Sequence, residues 1–319
     1  MLHFRVNFTS LFTLCSFLLI ASGGCSAPKD PYMSTELIKD RHFQHGFMVI
    51  HPKPGSRVVQ GYLNLDGSAK PAWDIAQWHS KYSISSAEPT INNHSIAFKN
   101  QAKSIIVSRP NTQNADLILA IDSTPEYQGR FRTVNQNWPH LLVEQRILDC
   151  PSLARMHQLQ FHVQAKLLES DCFKGPGYSP ALHTILAHFV IIVQNYNKNS
   201  KGYGDFFWFV VNLYDYRYPR GKVYMAQDTA DPSSKFIYNP GPKPFDLISM
   251  HNNHWITINK DILPVVIAGF HEARKRGYLS DSNDLNDYRI TGVNLGFEAT
   301  GICKSALQIK NLSLKTKKL

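Results

Sequence analysis

From about residue 45 onward the chain alternates short runs rich in Val, Ile, Phe, Tyr and Trp with Gly, Pro, Asn and Asp punctuation. That is the pattern of half-buried strands joined by turns. It predicts strands at about 46–51, 104–108, 117–122, 141–148, 159–168, 188–196, 205–216, 236–238, 288–298 and 306–314. Several exceed the usual strand length, as a large curved sheet requires. One segment has a different period. Ile262, Val265, Val266, Phe270 and Ala273 fall on a helical stripe, with Asp261 placed to cap it and Pro264 in its first turn. Arg274, Lys275 and Arg276 complement the dipole at its end, and Gly277 can close it. The expectation is an all-β sandwich or barrel with one amphipathic helix at about 261–277. No repeat or composition shift divides residues 26–319, which read as a single β-sandwich domain.

Strict alternation assigns faces within the strands. In 288–298, Val293, Leu295 and Phe297 form the core side, leaving Asn294, Gly296 and Glu298 to line an open surface. Gly296 is read there as a place where a ligand or a neighbouring chain approaches the backbone. In 206–217, Phe207, Phe209, Val211 and Leu213 oppose Trp208, Val210, Asn212, Tyr214 and Tyr216, with Asp215 on the side of Leu213. A face mixing Trp, Tyr and Asn suits sugars, because aromatic rings stack on pyranose faces while amides bond hydroxyls. The same rings would equally serve to pack under a loop or the helix. In 141–147, Leu142, Glu144 and Arg146 oppose Leu141, Val143, Gln145 and Ile147, so either Glu144 or Gln145 must point inward and needs a partner.

The N-terminus changes the picture. Residues 8–20 are nearly all apolar, Arg5 precedes them, and Ala21, Ser22, Gly23 and Gly24 lead to Cys25. These are the n-region, h-region and cleavage site of a signal peptide, too short for a membrane span. Small residues before a cysteine resemble a bacterial lipobox, although Ser22 stands where leucine is usual. Residues 1–25 are therefore read as a lipoprotein-type signal with Cys25 as the lipid attachment, ordinary cleavage being the alternative. The protein is expected outside the cytoplasm, anchored in a bacterial cell envelope or secreted, with the membrane as partner only through the lipid.

Lys and Arg total 34 against 24 Asp and Glu, a net charge of +10 spread along the chain, which does not suggest a nucleic-acid footprint. Once Cys15 leaves with the signal and Cys25 carries lipid, Cys150, Cys172 and Cys303 remain, and Cys150 with Cys172 is the expected bridge. His251 and His254 lack a nearby acidic ligand, and neither a phosphate loop nor a serine elbow occurs, so no metal or cofactor is expected. His157, His162, His183 and His188 read as core or surface histidines. The sequence leaves oligomeric state open.

The C-terminal third resembles family 12 glycoside hydrolases, concanavalin A-like jelly rolls that degrade β-glucans. The resemblance rests on the aromatic strand 208–216, the helix, Leu295-Gly296-Phe297-Glu298 with its Ala299-Thr300-Gly301 turn, and the strand 306–314. A weaker echo lies in Asn135-Gln136-Asn137-Trp138 with Gln145. The resemblance implies a concanavalin A-like jelly-roll β-sandwich and makes Glu298 the general acid/base. The family's nucleophile glutamate has no match on the aromatic strand; Asp205 is the nearest substitute, Glu144 another partner, and Asp228 a further acidic candidate. Two functions follow. One is polysaccharide binding on a concave sheet face through Trp208, Asn212, Tyr214, Tyr216, Asn294 and Gln145. The other is a glycoside hydrolase or lyase using Glu298 with Asp205 or Glu144. A structural surface lipoprotein without a sugar site is the third reading.

Overall fold

The computed structural model describes residues 34–65, 70–228 and 234–318; the signal segment and Cys25 lie outside the described residues. In chain order come β1 (Ser34–Glu36), β2 (Phe47–Ile50), β3 (Val59–Leu63), β4 (Trp73–Ala76), β5 (Pro89–Asn92), β6 (Ser95–Lys99), β7 (Lys103–Ser108) and β8 (Asp116–Asp122). The one-turn helix α1 (Thr124–Tyr127) precedes β9 (His140–Arg146), β10 (Met156–Cys172), β11 (Ile185–Asn195), β12 (Phe206–Asp215), β13 (Tyr224–Gln227), β14 (Phe236–Asn239) and β15 (Ile256–Asp261). Helix α2 (Leu263–Lys275), β16 (Tyr288–Ala299) and β17 (Cys303–Lys318) complete the order. All ten predicted strands are present. The strands β1, β3, β4, β5, β6, β13 and β15, each of three to six residues, were not read from the sequence.

Two sheets form the sandwich. One has nine strands in the order β13-β14-β12-β11-β16-β9-β4-β2-β3; the other runs β15-β10-β17-β8-β7-β6-β5, with β1 added against β17 as its eighth strand. Phe161 of β10 stacks on Phe189 of β11 at 4.4 Å, joining the two inner faces. Val293, Leu295, Phe297, Phe207, Phe209 and Val211 are buried in the same core, as alternation predicts. Each fully buried side chain of this size contributes roughly 1.5–3 kcal/mol. Helix α2 buries Val266, Phe270 and Ala273, and Phe270 meets Tyr288 at 4.7 Å. Gly269 is required there, because a Cβ would stand 2.7 Å from the Tyr238 ring. Asp261 accepts from the Leu263 amide at 3.1 Å, one residue outside the Ile262 cap.

Three expectations are corrected. First, alternation fails in β12. Ala187 pairs with Tyr214 but His188 with Asn212, so Leu213 is an extra residue. Such a bulge shifts the register by one and turns every later side chain over. Leu213 and Tyr214 both face the core, and Asp215 moves to the outer face, in register with Leu186. Second, Cys172 is bridged to Cys303, its register partner across β10 and β17, and Cys150 is free in a turn, its thiol donating to the Ile147 carbonyl. Third, of the two roles read for Gly296, the approach of a neighbouring stretch of chain holds and that of a ligand does not. At φ +152°, a Cβ would lie 2.1 Å from the Leu141 carbonyl oxygen, so the glycine lets β9 approach β16.

Candidate functional site

The nine strands of the larger sheet carry four carboxylates, Asp74, Glu144, Asp215 and Glu298, and register puts all four on the outer face. Cross-strand partners share a face, so three rows can be followed. His140, Glu298, Leu186 and Asp215 form the first. Leu142, Gly296, His188 and Asn212 form the second. Asp74, Glu144, Asn294, Val190 and Val210 form the third. Trp208 lies one row further along the same face, opposite Ile192 and Gly292.

Glu298 is the best-surrounded of these groups. The Trp138 indole N–H donates to its Oε2 at 3.2 Å, His140 Nε2 stands 3.7 Å from Oε2, and His188 Nδ1 stands 3.7 Å from Oε1. Its side chain keeps 27 % of its surface, so water or a ligand reaches it. Burial pushes the carboxyl up, but the two imidazoles and the indole N–H more than offset this and hold it below the usual glutamate range. His140 Nδ1 lies 3.0 Å from the Trp138 carbonyl, which can only accept; that nitrogen therefore carries hydrogen, and a second proton on Nε2 would face Glu298. His188 is pushed down chiefly by burial, against the pull of Glu298 and Asp215.

Trp138 is held by its loop. Arg132, buried, donates to the Thr300 and Gln136 carbonyls at 3.3 and 2.8 Å and lies 4.9 Å over the Trp138 ring. His183 accepts from the Ser179 amide at 2.8 Å through Nδ1 and donates through Nε2 to the Arg132 carbonyl at 2.8 Å, fixing the same segment. Trp78 stands 5.3 Å from the His140 ring and covers a small apolar cluster of Ile50, Ala76 and Leu142. Tyr224, exposed on β13, feels the charge of Glu298, and Tyr62 is exposed on β3 in the row of Asp74.

The second pair of acids differs. Arg57 meets Asp74 at 2.5 Å and Glu144 at 3.9 Å. Burial first, and then the neighbouring Asp74 charge, push Glu144 up to about 7 despite Arg57 and Arg146. Burial also raises Asp74.

The expected site residues now sort by position. Glu298, Glu144, Asn294, Asn212 and Trp208 share the outer face. Tyr214 does not: it is buried in the core with its ring 4.8 Å from His251. Tyr216 lies beyond the end of β12, packs against the core edge and sits under Lys174 Nζ at 4.9 Å. Gln145 faces inward, accepting from the Lys39 amide at 2.7 Å and donating to the Lys39 carbonyl at 2.9 Å. This settles which of Glu144 and Gln145 turns inward: the neutral amide can satisfy both of its groups there.

Asp205 is tied to Lys235 at 2.7 Å just before β12. Phe206 pairs with Gln194 while Glu298 pairs with Leu186, eight residues away on β11, or ~27 Å along the sheet. Glu144 pairs with Asn294, four residues from Glu298, or roughly 14 Å. Neither fits the ~5–5.5 Å of a retaining pair or the ~6.5–9.5 Å of an inverting one. Asp215 stands two strands from Glu298 in one row, about 10 Å between Cα atoms. It is held by Arg217 through two contacts of 2.9 and 2.8 Å.

Sequence reasoning missed His140, His188, Asp74, Arg57 and Asp215. His188 carried a signal, being the one polar residue in the apolar run 185–193. Its Nε2 has no hydrogen-bond partner, nor do Asn212 Oδ1 beside it and Trp208 Nε1. The fold itself does not use these polar atoms.

No protein-family model matches the chain, and no curated protein is similar to it in sequence. Solved structures similar in architecture include an endoglucanase, cel12A, from Rhodothermus marinus (10 % identity, 77 % of this chain and 99 % of that one, TM-score 0.36). Another is the catalytic domain of Humicola grisea Cel12A with a thio cellotetraose (11 %, 72 % and 97 %, TM-score 0.41). A family 12 xyloglucanase from Bacillus licheniformis is a third (10 %, 72 % and 96 %, TM-score 0.38). The likeness extends to the jelly-roll sandwich, and at these scores it assigns no activity.

Proposed function

We propose that the outer face of the nine-stranded sheet binds extracellular polysaccharide. The observation that supports this reading most is the gathering of all four strand carboxylates on one face with His140, His188, Asn212 and Asn294, beside Trp138 and Trp208. Carboxylates, imidazoles and amides held at fixed positions match sugar hydroxyls, and indole faces match the apolar sides of the rings. Binding to an immobilised glycan set tests it. Wild-type protein should be retained, and Trp138→Ala and Trp208→Ala should each weaken retention at least about ten-fold, the value of ~1.4 kcal/mol per lost platform. A folded wild-type protein with no affinity for any glycan would overturn the proposal.

A second reading, glycoside hydrolysis, is favoured by the shared row of Glu298 and Asp215. Glu298 would be the proton donor, and Asp215 would replace Asp205 and Glu144 as its partner. Arg217 pairs with Asp215 at 2.8 Å, while a proton donor needs a raised pKa that Glu298 lacks without ligand. Reducing-end release that disappears in Glu298→Gln, with glycan retention kept, would support hydrolysis; retention without release supports binding alone.

We also propose that the protein is exported and lipid-anchored at Cys25. The bridge between Cys172 and Cys303 accords with an oxidising compartment. Mass spectrometry of the mature N-terminus should find a lipid mass that Cys25→Ser lacks.

A further inference from the structure

The eight-stranded sheet has an open depression on its own outer face, of about 940 Å³, lined among others by His94, Arg109, Asp116, Trp255, Gln308 and Lys310. It belongs to the sheet opposite the one that carries Glu298. Ser108 pairs with Asp116, Leu117 with Ile309, and Lys310 with Gln164, so Asp116 and Lys310 occupy one transverse row near the end of β8. The turn between β5 and β6, at Asn93 and His94, forms one side.

Asp116 is the unusual member. It is 3 % exposed, and its Oδ2 accepts from Arg109 at 2.7 Å and from Gln308 at 2.8 Å. Its Oδ1 has no hydrogen-bond partner. A carboxylate oxygen left that way costs about 1–3 kcal/mol unless a donor reaches it. Trp255, half-buried, supplies an aromatic face in the same depression, covered by the Lys310 ammonium at 4.1 Å. A cation on an open ring is worth only about 0.5–1 kcal/mol, and a lysine stem swings aside readily.

We propose that this depression is a second carbohydrate site, taking an uncharged sugar unit. One ring would stack on Trp255 in place of Lys310, and a hydroxyl would donate to Asp116 Oδ1. An acidic sugar fits less well at that position, since a carboxylate has no proton to donate to Asp116 Oδ1. This inference rests on residues separate from Glu298 and its neighbours and stands whether or not they bind sugar. With ligand sites on both outer faces, one molecule would engage two chains, or two parts of one.

The chain has five tryptophans, so indole N–H resonances of ¹⁵N-labelled protein report the two faces separately. Trp255→Phe identifies the Trp255 signal, and Trp138→Phe and Trp208→Phe identify those of the other face. Titrations use a neutral β-glucan oligomer (cellohexaose), a neutral mannan oligomer and polygalacturonate. The expected result is a saturable shift of the Trp255 signal with a neutral oligomer, weakened about five-fold or more in Asp116→Asn, which keeps the shape and removes the charge. A Trp255 signal that stays still with both neutral oligomers, or moves only with polygalacturonate, overturns the proposal whatever the Trp138 and Trp208 signals do. Silence of those two signals, with Trp255 moving, counts instead against the site around Glu298.

Discussion

The outer face of the nine-stranded sheet carries two carboxylate pairs built from the same ingredients that behave in opposite ways. Asp74 and Glu144 are register partners on adjacent strands; burial raises both, and the Asp74 charge raises Glu144 further. Arg57 is bonded to Asp74 and leaves Glu144 at the longer distance, so Glu144 takes the proton. Asp215 and Glu298 are separated by a whole strand, and each has donors of its own. Arg217 holds Asp215, while Trp138 and the two imidazoles hold Glu298 ionised. Spacing by one strand or two, and who supplies the N–H groups, separates a raised carboxyl at Glu144 from a lowered one at Glu298.

The contrast can be broken most strongly at Arg57. Arg57→Met leaves Asp74 buried without its cation, and a loss of about 3 kcal/mol is expected by urea denaturation at pH 7, at the low end for a broken buried pair because the arginine is partly in solvent. The next effect is of opposite sign. Because the folded protein holds the Glu144 proton more tightly than the unfolded chain, this residue's contribution falls as pH rises from about 4.5 to about 7. Glu144→Gln should therefore be more stable than wild type by about 2 kcal/mol at pH 8, the difference vanishing below pH 4.5.

Glu298 works the other way. Its folded-state pKa is depressed, so its contribution is full above the unfolded value and is lost as pH falls through the folded one. Glu298→Gln should cost on the order of 1 kcal/mol at pH 7, with the gap closing in acid. The smallest effect sharpens the cause: Trp138→Phe keeps the ring and removes the donor, which should raise the Glu298 pKa, followed by carboxyl ¹³C shifts, at a stability cost of about 0.5 kcal/mol.

Much of this face was legible in the sequence. The two-residue period of β16 separated Val293, Leu295 and Phe297 from Asn294 and Glu298, because a strand buried on one side leaves little freedom in which side chains turn inward. Helix α2 was legible from its stripe. The misplacements have physical causes too. Asn212 and Asp215 are polar residues three apart around Leu213 and Tyr214, a break in the period that marks the bulge; reading through it sent Tyr214 outward and Asp215 inward. The pull of the aromatic strand drew attention to Asp205, although chain neighbours along an extended strand separate by more than 3 Å per residue.

The sequence by itself determined ten of the seventeen described strands, helix α2 and the inward or outward sense of the regular strands among them, since these follow from local periodicity and the cost of burying polar groups. Only the tertiary structure decided that Cys172 meets Cys303, that His140 and His188 close on Glu298, and that Arg57 reaches Asp74. Those are contacts between segments distant in the chain, fixed by strand order and register. Residue spacing along the chain encodes neither.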